Sequence, residues 1–272
     1  MIKYKKIKQQ RFFNNAGPIK PELHYHIDPL HRLDWEEISH YIAQQRYFVL
    51  HAPRQTGKTT TLLAMMHALN QGDDYTALYV NIEGAQAARG DVNAGIGEVL
   101  GALTAAAVLY LGDERPGQML AKIKTHRGMQ GALGELLTRW CQQKNKPLVL
   151  MLDGVDSLVG DTLISLPRQI RAGYEQRPAA LPQSLILCGV RDIRDYRIHT
   201  QHKEIITGGS AFNIKAESLR MGNFTQEETR ELWIQHSKET GQIFSESIFP
   251  ELWEDTRGQP WLVNALGHEV IW

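Results

Sequence analysis

Residues 52–59 read A-P-R-Q-T-G-K-T, and this stretch constrains the chain more tightly than any other. It follows the G-x-x-x-x-G-K-[ST] pattern of a loop that wraps phosphate. Such a loop must turn consecutive backbone N–H groups toward one anion, so it needs a residue that accepts unusual dihedrals, and Gly57 supplies it. Lys58 brings a mobile positive charge to the β- and γ-phosphates, and Thr59 offers a hydroxyl to Mg2+. A strand must deliver the loop and a helix must begin in it, because a helix N-terminus carries partial positive charge. Both flanks fit. Tyr47-Phe48-Val49-Leu50 is a short apolar run, as in a buried strand, and residues 58–70 put Leu62, Met65, Met66 and Leu69 on one helical face. Ala52 replaces the first glycine of the pattern, which is tolerable if its φ stays negative. The loop therefore gives a nucleotide-binding set of Ala52, Pro53, Arg54, Gln55, Thr56, Gly57, Lys58, Thr59 and Thr60.

The rest of the chain alternates in the same way. Asp34 caps a helix carrying Trp35, Ile38 and Ile42, with Glu37 as its reciprocal partner. Residues 77–82, 147–152 and 184–190 read as buried strands. A helix is expected over 93–111, then a loop containing Pro116, then a helix with Leu133, Leu136, Leu137 and Trp140 on one face. Residues 161–176 look helical, with Pro167 kinking the helix or marking its start. Beyond Gly222 the strand signal stops. Thr225 and Glu228 form a capping box, and helical stretches follow near 245–255 and 261–272. The expected architecture is α/β: a doubly wound parallel sheet with a P-loop NTPase core over residues 1–222, and a small, incomplete helical lid over 223–272.

A phosphate loop of this kind needs a carboxylate for magnesium at the end of a neighbouring buried strand. Asp153 follows Leu148-Val149-Leu150-Met151-Leu152, at the edge where open α/β sheets bind ligands. The alternative is a plain strand-end aspartate. Thr59 and Asp153 are thus the metal candidates. The strand at 184–190 can insert between the loop strand and the Asp153 strand, which is the additional-strand arrangement. Arg191 at its end would then face the γ-phosphate; otherwise it pairs with Asp192 or Asp195.

Composition sets the outer limits. Of 272 residues, 30 are Lys or Arg and 30 are Asp or Glu, so no net charge draws the chain to nucleic acid. Lys3, Lys5, Lys6, Lys8 and Arg11 crowd the start and read as a solvated, frayed terminus. That terminus has no apolar stretch of a signal peptide behind it, and residues 99–111 are too short to span a bilayer. A cytoplasmic protein with no membrane partner is expected. Cys141 and Cys188 sit in apolar patterns and read as buried reduced thiols.

Several stretches together resemble the AAA-like branch of bacterial and archaeal P-loop ATPases, near the STAND signalling ATPases and the Orc/Cdc6-like initiators. They are RFFNNAGPIKPELHYHIDPL, HAPRQTGKTT, LVLMLDGVD, LILCGVRDIRDYR, SAFNIKAESLRMGNFT and GQPWLVNAL. The resemblance implies ATP and Mg2+ as ligands. Gly258-Gln259-Pro260 is similar to the G-x-P element whose proline turns to adenine, and His26, Ile27, Pro29 and Arg32 are implied near the base. Gly-Gln-Pro also reads as a helix stop followed by a helix start, and the N-terminal stretch as packing. Such ATPases usually place an acid directly after the magnesium aspartate. Here Gly154 stands there, and Asp156 is the nearest carboxylate. Lys58, Asp153, Asp156 and Arg191 form the candidate catalytic set. Relatives also complete their sites with a neighbour's arginine, for which Arg168, Arg171, Arg194 and Arg197 are available, and carry further domains beyond the position of Trp272. Three functions follow: a slow ATPase acting as a nucleotide-driven switch, a non-hydrolysing ATP-gated module that associates with itself or a protein partner, and a DNA-associated initiator-like ATPase.

Overall fold

The computed structural model describes residues 10–125, 128–192, 197–199, 205–207 and 217–271, without the side chains of 197–199 and 205–207. The chain divides into two compact units: residues 34–53 with 62–220, and residues 1–33 with 54–61 and 221–272.

The first unit is built on strands β1 (Tyr47–His51), β2 (Thr76–Asn81), β3 (Leu148–Asp153) and β4 (Ser184–Gly189). A short antiparallel pair, β5 (Arg197–His199) and β6 (Ile205–Thr207), precedes β7 (Glu217–Arg220). The main sheet is parallel throughout, in the order β2-β3-β4-β1-β7. β4 lies between β1 and β3, the insertion expected from the apolar run at 184–190. Every residue of β3 and β4 is buried, because a parallel strand covered on both faces cannot alternate polar with apolar.

Alternate strand residues serve opposite faces. Val49, Leu78, Val80, Leu150 and Leu187 share one apolar cluster with helices α3 (Val92–Leu111), α5 (Met129–Cys141) and α6 (Gly160–Arg171). On the other face Phe48 meets Tyr41 of α1 (Trp35–Ala43), and the N–H of Tyr79 donates to the Met66 sulfur of α2 (Lys58–Gln71). By length and composition α3 is the one helix among the described residues that is apolar enough to cross a membrane; its inward face packs Ile96, Val99, Leu100 and Leu103 into the cluster.

Four local expectations change. Helix α4 (Arg115–Ile123) occupies the expected loop. Pro116 lies in its first turn, where a missing N–H costs nothing, and Met119, Leu120 and Ile123 are buried. Pro167 lies inside α6 and is buried with Leu163, Leu166 and Ile170, so it neither starts nor ends the helix. β7 was not expected: it is a four-residue edge strand with half-buried Ser218 and Leu219 between exposed Glu217 and Arg220, too polar for a buried-strand pattern. The Asp34 cap is only half the expected box. Asp34 accepts from the Glu37 N–H at 2.9 Å, but the Glu37 carboxylate binds the Tyr41 hydroxyl instead.

The second unit joins residues 10–33 and the loop 54–61 to helices α7 (Gln226–Thr240), α8 (Ile248–Thr256) and α9 (Pro260–Ile271). The capping box at Thr225 and Glu228 forms in both directions. Phe13, Tyr25, Ile27, Phe224, Trp233 and Val263 make its core. Arg11 departs from a frayed terminus: it pairs with Glu239 at 2.8 Å and covers the Tyr25 ring. Lys3, Lys5, Lys6 and Lys8 lie outside the described residues.

A candidate phosphate-binding loop

The loop of residues 52–57 is what remains between the last residue of β1 and the first of α2. Ala52 continues the β1–β4 ladder by donating its N–H to the Gly189 carbonyl at 3.2 Å, and it keeps out of the left-handed region, so its methyl is accommodated. The backbone then reverses sharply: Gln55 has φ +61° and Gly57 φ +83°. A left-handed glutamine is uncommon and costs on the order of 1 kcal/mol or more. Pro53, Arg54 and Gln55 are exposed, Thr56 is buried, and Lys58, Thr59 and Thr60 are half-buried. The first helical bond of α2 runs from the Thr61 N–H to the Gly57 carbonyl.

Other segments of the same unit fasten the loop. Arg32 donates through Nη1 to the Thr56 carbonyl at 2.6 Å and through Nη2 to the Gly222 carbonyl. Its guanidinium lies 5.2 Å from the Phe224 ring centroid, within cation–π range. Burial pushes the Arg32 pKa down to about 10, against the pull of Glu228. Its Nε is buried with no partner among the described residues, which costs about 1–3 kcal/mol of desolvation. Gln259 donates through Nε2 to the Gln55 carbonyl at 3.3 Å. The Thr60 hydroxyl accepts the Ile19 N–H at 3.2 Å, and the Thr61 hydroxyl meets the Met221 sulfur.

Gly258-Gln259-Pro260 is held from behind. The Gly258 carbonyl accepts the Phe224 N–H at 2.9 Å. Gly258 has φ +68°, and a Cβ there would overlap the Phe224 carbonyl oxygen. Pro260 is buried at the start of α9, and the Trp261 indole donates to the Asn15 carbonyl. The His26 backbone exchanges two hydrogen bonds with the Gln235 side chain, at 3.2 and 2.7 Å, while Ile27 is part of the core.

In the sheet unit, Asp153 is the last residue of β3, is 5 % exposed, and accepts the Tyr79 hydroxyl at 3.1 Å. That bond orients the carboxylate, and Tyr79 is a supporting residue that sequence reasoning missed; it pairs in register with Met151, two positions before Asp153, and so reaches Asp153 diagonally along the same face. A carboxylate suits Mg2+. No group of three or more His, Cys, Asp or Glu side chains among the described residues could hold a metal ion. Gly154 has φ +82°, donates its N–H to the Cys188 carbonyl at 3.1 Å, and faces Glu83, whose Cβ lies 3.3 Å from where a Gly154 Cβ would be. A glycine therefore occupies the position after Asp153 for a backbone reason. Glu83 was not singled out from the sequence, since it sits in a Gly/Ala-rich stretch. Asp156 lies half-buried in a 3-10 turn, Val155–Ser157. Arg191 is exposed just after β4, and Arg168 and Arg171 are exposed on α6. Arg194 and the Arg197 side chain lie outside the described residues, as does Asp195. Cys141 and Cys188 are both buried, with burial pushing the Cys141 thiol up to about 12.

No family model and no curated protein matches the sequence. Solved structures do. The Walker-type ATPase PABY2304 of Pyrococcus abyssi superposes with TM-score 0.60 at 15 % identity, over 95 % of this chain and 71 % of that one. Cdc6p of Pyrobaculum aerophilum gives 0.53 at 17 %, over 86 % of this chain and 58 % of that one. The ORC2 protein of Aeropyrum pernix, solved as ADPNP–ADP complexes, gives 0.50 at 16 %, over 94 % and 64 %. The chain thus spans less than two thirds of the last two. At these identities the likeness is one of fold, and the fold is an α/β P-loop NTPase core of the kind those Walker-type, Cdc6 and ORC2 structures contain.

Proposed function

We propose that this chain binds ATP–Mg2+ and works as a slow ATPase whose nucleotide state drives a conformational switch. The observation that carries the reading is the loop itself: two left-handed residues, Gln55 and Gly57, directly before a helix that opens with Lys58 and Thr59. In this reading Ala52 to Thr60 grip the phosphates and Lys58 neutralises the β- and γ-phosphates. Thr59 and Asp153 would hold the magnesium, which would supply neutralising positive charge. Arg191 meets charge developing on the γ-phosphate, and Pro260, with His26 and Ile27, serves the base. Asp156 is the carboxylate assigned to the attacking water. Turnover is slow because the position after Asp153 holds Gly154. The protein acts in the cytoplasm, through self-association or a protein partner, with Arg168 or Arg171 among the arginines available to a neighbouring copy.

Titration calorimetry with ATP–Mg2+ tests the binding step: wild type should bind and Lys58→Ala should lose at least about 100-fold, as expected when a charged phosphate contact is removed. A wild-type chain that does not bind ATP–Mg2+ overturns the proposal. Phosphate release tests the second step, and should be slow and drop further in Lys58→Ala. The left-handed Gly154 favours a second reading, a non-hydrolysing ATP-gated module. Release no faster than in Lys58→Ala, with association that still depends on nucleotide, selects it. A DNA-associated initiator role has the fold likeness to Cdc6 and ORC2 behind it and the zero net charge against it. A salt-dependent mobility shift on DNA would select that role.

A further inference from the structure

A trans peptide is planar, so its C=O and N–H point in opposite directions. Arg32 draws the Thr56 carbonyl toward its Nη1, so the Gly57 N–H in the same plane points away from Arg32. Gln259 draws the Gln55 carbonyl toward its Nε2, so the Thr56 N–H points away from Gln259. These are consecutive amides, in a turn whose left-handed residues are Gln55 and Gly57, and consecutive amides of this kind form an anion-binding concavity. A flipped 56–57 peptide would present a carbonyl oxygen to the anion instead. Arg32 also fills the space beside Gly57: a Cβ there would come within 3.1 Å of Nη1. Its second arm holds Gly222, four residues before α7, so the clamp is braced at both ends.

We infer that Arg32, seconded by Gln259, is a positioning residue for phosphate: it holds the 56–57 peptide so that the Gly57 N–H faces the anion, and it does not read the base. This rests on the ATP-binding reading above and assigns Arg32 to the phosphate end of the ligand rather than to the adenine.

The test is calorimetric binding of ATP–Mg2+, with inorganic pyrophosphate and adenosine as separate competitors, to wild type, Arg32→Ala, Arg32→Lys and Gln259→Ala. Arg32→Ala should weaken ATP and pyrophosphate together by about 10- to 100-fold, the loss of a charge-assisted hydrogen bond, and leave adenosine unchanged. Arg32→Lys, which keeps one donor, should recover part of that loss, and Gln259→Ala should cost about 3- to 10-fold. Wild-type pyrophosphate affinity in Arg32→Ala, or a loss confined to adenosine, overturns the inference while leaving ATP binding intact. If Arg32→Ala does not fold, the other two variants decide: wild-type pyrophosphate affinity in both overturns it. Failure of the wild type to bind ATP at all is the separate failure of the underlying reading.

Discussion

The two units hold together by different means. The sheet unit is built on a largely aliphatic core: Leu, Ile, Val, Ala and Met from four strands, β1 to β4, and four helices, α3 to α6. The other unit gathers three segments distant in sequence around rings, and joins them with directed bonds: Arg11 to Glu239, Gln235 to the His26 backbone, Trp261 to Asn15, Arg32 to Gly222. Apolar burial is non-directional and scales with area, so it specifies a layer before it specifies a partner. A hydrogen bond is short and directional, so each directed bond specifies one neighbour. Damage to the first unit should therefore be global and graded by volume. Damage to the second should be local and graded by which bond is lost.

The largest effect should come from the sheet unit. Trp140 is fully buried in its aliphatic cluster, and its indole N–H donates to Asp113 at 2.9 Å. Trp140→Ala should cost about 3–5 kcal/mol, read by chemical denaturation. A loss below about 1 kcal/mol would mean that the cluster is not what stabilises this unit. Next is Gly258→Ala, where a left-handed backbone and the Phe224 carbonyl both oppose a side chain. It should cost about 2–3 kcal/mol, seen as faster hydrogen exchange in residues 221–271 with exchange in β1 to β4 unchanged. Gly97→Ala in α3, where a Cβ meets nothing, is the control and should gain about 0.5–1 kcal/mol. Equal spread of the Gly258→Ala effect through both units would break the comparison.

The same contrast explains what could be read without coordinates. Periodicity reports burial, so strands and helices of the aliphatic unit were legible, down to the insertion of β4 beside β1. Pro116 misled because one residue argued for a loop while a buried face of Met119, Leu120 and Ile123 argued, more weakly in a Gly- and Ala-rich stretch, for a helix. β7 escaped because an edge strand needs little apolar surface. The phosphate loop was legible because its chemistry is local in sequence. Its supports were not. Nothing at Arg32 announces that its guanidinium reaches Thr56, 24 positions away, and nothing at Glu83 announces that it faces Gly154. Contacts between side chain and backbone across long separations leave no period behind.

A smaller effect is expected at Asp113. Arg115 holds its carboxyl far below the usual carboxylate range, helped by the Trp140 N–H and opposed by burial. A depressed native pKa means stability that is complete above the unfolded carboxylate range near pH 4 and is lost as pH falls toward the native value. Arg115 is itself half in water, while buried Lys144 lies 3.8 Å from the same carboxylate, so Asp113→Asn should cost about 2 kcal/mol at pH 7, between an exposed pair and a fully buried one. The variant should also flatten the acid limb of the denaturation midpoint against pH. An unchanged acid limb would remove Asp113 from the account.

The smallest effect separates the units by pH. His24 is 6 % exposed, and its Nδ1 accepts the Lys20 N–H at 2.9 Å, so the ring must be neutral at that nitrogen. Burial lowers its pKa, with Glu22 working the other way and Lys20 and His26 adding to the lowering. A lowered native pKa means that the unfolded chain takes up the proton first. Stability is then intact above the unfolded histidine range near pH 6.5 and falls as pH drops through it, levelling off below the native value. Between pH 7.5 and 5.5 the segment of residues 10–33 should lose on the order of 1 kcal/mol, the worth of the bond that protonation breaks. Hydrogen exchange at those residues measures it, with β3 and β4 as internal reference because the aliphatic cluster holds nothing that titrates in that window. His24→Gln, which keeps an acceptor and removes the proton site, should abolish the difference. An equal loss in β3 and β4 over the same two units of pH would show that the two cores do not respond separately, and the contrast between a layer held by area and a segment held by partners would fail where it is easiest to see.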